Sequence, residues 1–129
     1  PTFALFTAIF YMFTETIVMF YFIGSGTAIK KSIKMGGGEP GLYEKVKKTK
    51  MILFPHLTMN MLFIGTVFIL GGAVQTGSVP GWIHGLLFDL AFIHFLYVIV
   101  IQHRGFKENV EIIGKIAIIE GTAANNSPA

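Results

Sequence analysis

Three long apolar runs divide the chain, at 3–24, 51–74 and 82–102. A helix of about 20 residues spans the ~30 Å hydrocarbon core of a bilayer, so each run predicts a membrane-crossing helix. The first run has neither a basic segment before it nor a small-residue cleavage site after it, which a secretory signal would need. We therefore expect it to be a retained transmembrane helix.

The segment 27–50 separates the first two runs and is predicted as a basic loop. The sequence Gly24-Ser25-Gly26 can end the first helix, although the pattern of 27–34 also allows an amphipathic extension of one or two turns. The glycines and proline of 35–41 predict a loop, and 42–50 returns to a helical pattern.

Proline and amphipathic patterns mark the rest of the chain. Pro55 removes a backbone donor, so the second membrane helix either begins there or kinks there. The segment 75–81 predicts a turn. In 106–120, four isoleucines recur on one predicted helical face, which favours a separate short helix on the membrane surface or against a partner. The last stretch, 121–129, is a polar tail.

Positive charges lie on one side of this pattern. The chain has ten Lys and Arg residues; seven fall within 30–50 and three within 104–115. Cytoplasmic loops of membrane proteins carry an excess of Lys and Arg, so the first loop and the C-terminus are predicted to be cytoplasmic and the N-terminus outside. A bacterial or archaeal cytoplasmic membrane is the expected location.

Composition agrees with a chain solvated by lipid. Hydrophobic residues make up 53% and charged residues only 13%, whereas soluble domains are about a quarter charged. The predicted class is therefore an all-α integral membrane protein with a single domain. Its lysines flank membrane segments, which favours lipid headgroups over nucleic acid as their partners. The absence of cysteine excludes disulfides, thiolate metal sites, iron–sulfur ligation and covalent CxxCH haem attachment.

Two histidines are predicted to lie level with each other on different helices. His56 lies about 8 Å and His94 about 12 Å below the cytoplasmic boundary. Two imidazoles from facing helices in an apolar setting are the ligands that a haem b requires. His103 with His56 is the second choice, and His84 lies near the outer interface. A magnesium chlorin on one histidine is a further alternative.

Each of these histidines also has a simpler interpretation. His84 and His103 can face lipid headgroups, His56 can bond backbone groups freed by Pro55, and His94 can bond across a helix interface. Asn60 lies one turn after His56 and can orient a ligand, bind a quinone carbonyl or hold helices together.

Two acids fall near the predicted midplane of the bilayer. Glu15 is on the first helix and Asp89 on the third. Because an acid at a helix centre costs about 2.5–3.5 kcal/mol on insertion scales, both are expected to face protein or water. They can form a proton or ion pathway, or share one proton between helices. Tyr11 lies one turn from Glu15 as a local hydrogen-bond partner.

Small residues suggest further association, and common catalytic motifs are absent. Gly81 and Gly85 form a GxxxG pattern that permits close helix approach, so a dimer or a place in a larger complex is expected. The sequence contains no HExxH, GxSxG or phosphate-loop motif, so catalysis by this chain alone is not predicted.

In general plan, the chain resembles the small haem-b membrane anchors of succinate dehydrogenase and fumarate reductase. The resemblance rests on the three apolar runs, the basic face, the level pair His56 and His94, and the acids within the membrane. It implies a subunit that anchors a peripheral redox partner, binds haem b and relays electrons to or from quinone. The alternatives are a cofactor-free structural subunit of a large membrane complex and a small proton pathway using Glu15 and Asp89.

Overall fold

The computed structural model describes residues 2–36 and 38–125, which form three α-helices and no strand. Helix α1 is Thr2–Lys34, α2 is Pro40–Gln75 and α3 is Gly81–Asn125. Each helix is long and apolar enough to cross a membrane. The predicted all-helical class with three membrane-length helices is therefore confirmed.

Both connections are short and are placed by glycine and proline. Gly36 follows α1 with a φ of 89°, and Gly77 follows α2 with a φ of 72°. Glycine tolerates this left-handed conformation, which lets the chain leave a helix sharply. Pro40 opens α2 in its first turn, where the missing N–H has no helical partner to lose.

The predicted fourth helix was wrong, because 106–120 is the continuation of α3. The same holds at the other basic segment: within the predicted loop 27–50, residues 27–34 belong to α1 and 40–50 to α2. The predicted tail is helical to Asn125, and 126–129 lie outside the described residues. All three helices thus extend past the apolar runs at the end of the bundle that carries the lysines, here called the basic end.

Pro55 does not end a helix, since α2 runs through it. A proline inside a helix removes one hydrogen bond and commonly kinks the axis. Neighbouring helices make such a position tolerable in a membrane bundle. Of the two alternatives for Pro55, a helix that begins there is not observed, and Pro40–Gln75 is one element.

A small aliphatic core explains why the helices continue at the basic end. Ile29, Val46, Ile112 and Ile116 are buried together there, with Ile33 and Leu42 packed against them. Burying a side chain of this size stabilises by about 1.5–3 kcal/mol. Of the four predicted isoleucines of one face, Ile112 and Ile116 are buried, whereas Ile113 and Ile119 are each 40% exposed. The apolar stripe of α3 thus faces α1 and α2, not a membrane surface.

The outside of this basic end is polar. Lys115 and Glu111 form an exposed ion pair with an N–O distance of 2.9 Å. The hydrogen bond from Lys115 lowers the pKa of the Glu111 carboxyl. Exposed pairs of this kind contribute little to stability, so the buried isoleucines hold the helices together here.

A second core lies deeper along the bundle. Phe22, Leu53, Leu57 and Val98 are almost completely buried, and Phe106 packs against them. Gly105 makes room for this core, because a Cβ there would lie 3.2 Å from both the Phe22 ring and the Thr49 side chain. Small residues at helix interfaces permit such close approach.

The opposite half of the bundle is packed differently. No residue of 2–14, 61–75 or 81–90 is fully buried. Large apolar side chains in these ranges are exposed, among them Phe3, Phe6, Phe10, Ile69, Trp82 and Leu86. This apolar surface is typical of a chain whose outer face meets lipid or other membrane helices.

Candidate functional site

The structure brings His56 of α2 and His94 of α3 into contact. The distance from His56 Nδ1 to His94 Nε2 is 3.4 Å, and the ring centroids are 5.6 Å apart. Helices α2 and α3 run antiparallel on either side of the 76–80 turn, and their packing places these two side chains next to each other. These two imidazoles are therefore close enough to share one proton.

Asn60 fixes the orientation of His94 from within the bundle. Its side chain is fully buried, and its Oδ1 lies 3.0 Å from His94 Nδ1. Because an amide oxygen can only accept, His94 donates from Nδ1, and its Nε2 is then free of a proton when the ring is neutral. That Nε2 accepts from His56 Nδ1. The sequence analysis included an orienting role among the alternatives for Asn60, and in the structure the Asn60 side chain contacts His94 across the helix interface.

The same network reaches α1 through Tyr11. The Asn60 amide donates to the Tyr11 hydroxyl, and this hydroxyl lies against the Glu15 carboxyl one turn along α1. Gln102 of α3 donates its side-chain N–H to Glu15. Glu15 is only 4% exposed, as expected for an acid within an apolar helix. Sequence reasoning missed Gln102, because a single amide at the end of an apolar run has no distinguishing pattern.

These contacts form one polar network of six side chains: His56, His94, Asn60, Tyr11, Glu15 and Gln102. Its donors follow one another from His56 through Asn60 towards Glu15. An amide does not readily pass on a proton, so Asn60 separates the network into two proton-holding parts. One is the imidazole pair, and the other is Tyr11 with Glu15.

The imidazole pair lies at the edge of the bundle rather than at its centre. His56 and His94 are partly buried, and Tyr97 beside them is 50% exposed. The Tyr97 ring stands edge-on to His56 at 5.1 Å, and Phe63 stands edge-on to His94 at 5.3 Å. An apolar, partly aromatic surface with two imidazoles is thus reachable from the side where lipid would lie.

The imidazole nitrogens of the pair are suitable ligands for haem iron, but the distance between them is shorter than that between two ligands of one iron. His94 has the fixed tautomer that metal-bound histidines usually have. Two imidazole nitrogens on opposite sides of one metal ion lie roughly 4 Å apart, at about 2 Å per bond, with the porphyrin plane between them. Here the nitrogens lie 3.4 Å apart in direct contact. A haem would have to separate α2 from α3 at this contact.

The described residues contain no group of three or more His, Asp or Glu side chains placed to hold a metal ion. The pair alone provides two nitrogen ligands, whereas protein metal sites commonly use three or four.

The other predicted site residues lie apart from this network. His103 is exposed at the basic end. His84 is partly buried near Gly71, where an added Cβ would lie 3.3 Å from His84 Nε2.

Asp89 also lies apart from the network, and its side chain is exposed on the outside of α3. Tyr11 packs on Phe95, so Glu15 is level with the segment after it, and Asp89 lies roughly 15 Å away along the axis. No other helix of this chain covers Asp89, so the expectation that it faces protein or water stays a prediction. A shared proton between Glu15 and Asp89 is excluded by the same separation.

A second polar group at the basic end was not predicted. The Thr49 hydroxyl donates to Glu108, and Asn109 donates to the Ser25 hydroxyl at 2.8 Å. Asn109 is buried, and its Oδ1 has no hydrogen-bond partner among the described residues. Thr49, Glu108 and Asn109 fell within segments predicted as loop or surface helix, and Ser25 fell at the predicted end of the first helix. Their contacts across the bundle could therefore not be expected.

Comparison of the chain with protein-family models, curated proteins and solved structures finds no match.

Proposed function

We propose that this chain is an integral membrane subunit of a larger redox complex, and that the His56–His94 pair binds and exchanges protons with a lipid-soluble quinone. The observation that carries the proposal is the 3.4 Å imidazole contact at the lipid-facing seam of α2 and α3. Buried Asn60 orients the pair from behind, and Tyr97 and Phe63 provide flat apolar surfaces beside it.

The chemistry of a quinone matches such a pair. Reducing a quinone to a quinol consumes two electrons and two protons, and oxidation releases both. A protonated imidazole donates to the quinone carbonyl, and a neutral one accepts a proton from the quinol hydroxyl. Electrons pass between the quinone and a redox group of a partner subunit, because this chain has no cysteine to hold an iron–sulfur centre.

The proposed placement in the membrane follows the charges. The basic end faces the cytoplasm and the 76–80 turn faces outside, by the positive-inside rule. Lys45, Lys47 and Lys48 line one surface hollow together with Glu44, Met51 and Ile52, so lysines outnumber the acid there three to one. Ammonium groups beside exposed apolar side chains suit anionic lipid headgroups at this boundary. The basic end also offers a surface for a peripheral redox subunit.

Quinone extraction tests the proposal directly. The chain is purified with its natural neighbours in mild detergent, and bound quinone is extracted and quantified per chain. We expect about one quinone per chain, falling at least fivefold in His56→Gln and His94→Gln. His103→Gln is the matched control, because His103 is exposed at the basic end. Quinone content that is equal in all variants would contradict the proposal.

Haem b is the second candidate, favoured by the meeting of two imidazoles from two helices. When bound, a haem b would supply one-electron transfer, and His56 and His94 would be the residues to hold it. A reduced-minus-oxidised visible spectrum separates the two candidates. A b-type band lost in His94→Gln would favour haem, whereas bound quinone without such a band favours the first proposal. Neither ligand, with all variants assembling normally, would favour a structural subunit.

A further inference from the structure

Asp89 is an acid on the outer face of α3, within an apolar surface. The neighbouring side chains on that face, Leu86, Phe92 and Ile93, are 65%, 50% and 66% exposed. Asp89 itself is exposed, and no hydrogen bond or ion pair joins its side chain to another described residue. Neither α1 nor α2 covers this position.

Its depth makes this exposure costly in lipid. Asp89 follows Trp82 by seven residues, which places it about 10 Å along the helix from that end. The aspartate side chain has one methylene group, so it does not reach the interface as a lysine can. Acids within membrane segments face the interior of a bundle or a partner group. An uncovered Asp89 therefore indicates that another helix covers this face.

Gly85 gives that helix room to approach. It lies one turn before Asp89 on the same face, it is exposed, and an added Cβ would meet no atom within 4 Å. Close approach at a glycine brings a neighbouring backbone and its side chains near Asp89. The acid and the small residue thus lie side by side, and both lack a partner within the chain.

The distribution of charge along this chain argues against a second copy of the chain as the helix that covers Asp89. In a parallel copy the nearest Lys or Arg on α3 is Arg104, fifteen residues from Asp89 and thus about 22 Å away. His84 and His94 each lie five residues from Asp89 on α3, and their rings are directed to α2, at Gly71 and His56. A second copy docked by twofold symmetry on this face would place another acid against Asp89 and provide no Lys or Arg at its depth.

We propose that the α3 face formed by Gly85 and Asp89 docks a transmembrane helix of a different subunit, which carries a Lys or Arg at the depth of Asp89. The pair neutralises two charges that are each costly in hydrocarbon. This inference concerns assembly and does not depend on the quinone site, which lies at the α2–α3 seam nearer the basic end.

A synthetic partner helix tests the proposal without knowledge of the natural one. The full chain carries a fluorophore and is reconstituted in phosphatidylcholine vesicles with a labelled leucine-rich transmembrane peptide. One peptide has a single lysine at the depth of Asp89, and its control has leucine there. From the energy transfer, we expect an apparent affinity for the lysine peptide that is at least tenfold higher than for the control peptide. Asp89→Leu should abolish this preference.

Two more variants make the result specific. Gly85→Leu keeps the acid but blocks close approach, so it should also weaken binding of the lysine peptide. Ile69→Leu, on an exposed position of α2, should leave binding unchanged. Equal binding of both peptides would overturn the proposal. So would energy transfer between two labelled copies that Asp89→Leu abolishes, because a second copy would then be the occupant.

Discussion

At the scale of single residues, Asn60 is the side chain that joins the three helices. It accepts from His94 on α3 and donates to Tyr11 on α1, and it is completely buried. In a bundle that packs mainly through apolar contacts, these two hydrogen bonds fix which faces meet. The hydrogen bonds of the Asn60 amide therefore determine the orientation of the imidazole pair.

We predict that Asn60→Ala destabilises the chain by about 1–3 kcal/mol, because it leaves His94 Nδ1 without a partner and removes the donor to the Tyr11 hydroxyl. The measurement is denaturation in mixed micelles followed by circular dichroism. Thr66→Ala is the control, since its exposed hydroxyl bonds only its own helix at Leu62, and it should change stability by no more than about 0.5 kcal/mol. Equal effects of both substitutions would contradict the role given to Asn60.

At the scale of elements, the continuity of α3 distinguishes this fold from the one expected. The amphipathic pattern of 106–120 was correctly predicted to be helical, but the surface that its apolar face contacts was not. Periodicity shows which residues share a face, and it does not show whether that face meets lipid headgroups or neighbouring helices. The extensions of α1 and α2 beyond the apolar runs provide those neighbours here.

Two isoleucines test this arrangement. Ile116 is 5% exposed and Ile113 is 40% exposed. Ile116→Ala should therefore cost about 2–5 kcal/mol and Ile113→Ala much less. If this helix lay on the membrane surface, Ile116→Ala and Ile113→Ala would weaken its binding to the membrane by similar amounts. Unfolding midpoints of the two variants in the same detergent decide between these arrangements.

Two glycines of α3 test the close packing of the second core. Gly105→Leu should destabilise by about 1–3 kcal/mol, because the new side chain must displace Phe22 and Thr49. Gly114→Leu is the matched control on the same helix, where an added Cβ meets nothing within 4 Å. The control should be neutral or stabilising, since leucine favours helix more than glycine does. Comparable losses at both positions would show that α1 and α2 do not approach α3 at Gly105.

At the scale of the whole molecule, the predicted three crossings account for the architecture, and depth along the helices accounts for part of the site. Counting residues from the boundaries placed His56 and His94 level, and the structure has them in contact. The same counting could not show which way a side chain points around its helix. For that reason the position of Asp89 on the outer face of α3 could not be predicted, and Gln102 was not anticipated as a partner of Glu15.

Topology across the membrane is directly testable, because the chain contains no cysteine of its own. Single substitutions Met35→Cys and Ser78→Cys place a thiol in each connection. In sealed vesicles of known orientation, a membrane-impermeant maleimide should label the first from the cytoplasmic side and the second from the other side. Labelling of both from one compartment would contradict the three-crossing arrangement.

The five-residue turn between α2 and α3 also bears on how the chain enters its membrane. Residues 76–80 carry no charge, so moving them through hydrocarbon meets no ionic barrier. We expect α2 and α3 to insert together as a helical hairpin. His56, Asn60 and His94 already satisfy one another within that hairpin. The Asn60 side-chain N–H then lacks its acceptor until α1 packs against the hairpin and provides the Tyr11 hydroxyl. This hydrogen bond therefore fixes where α1 docks during biogenesis.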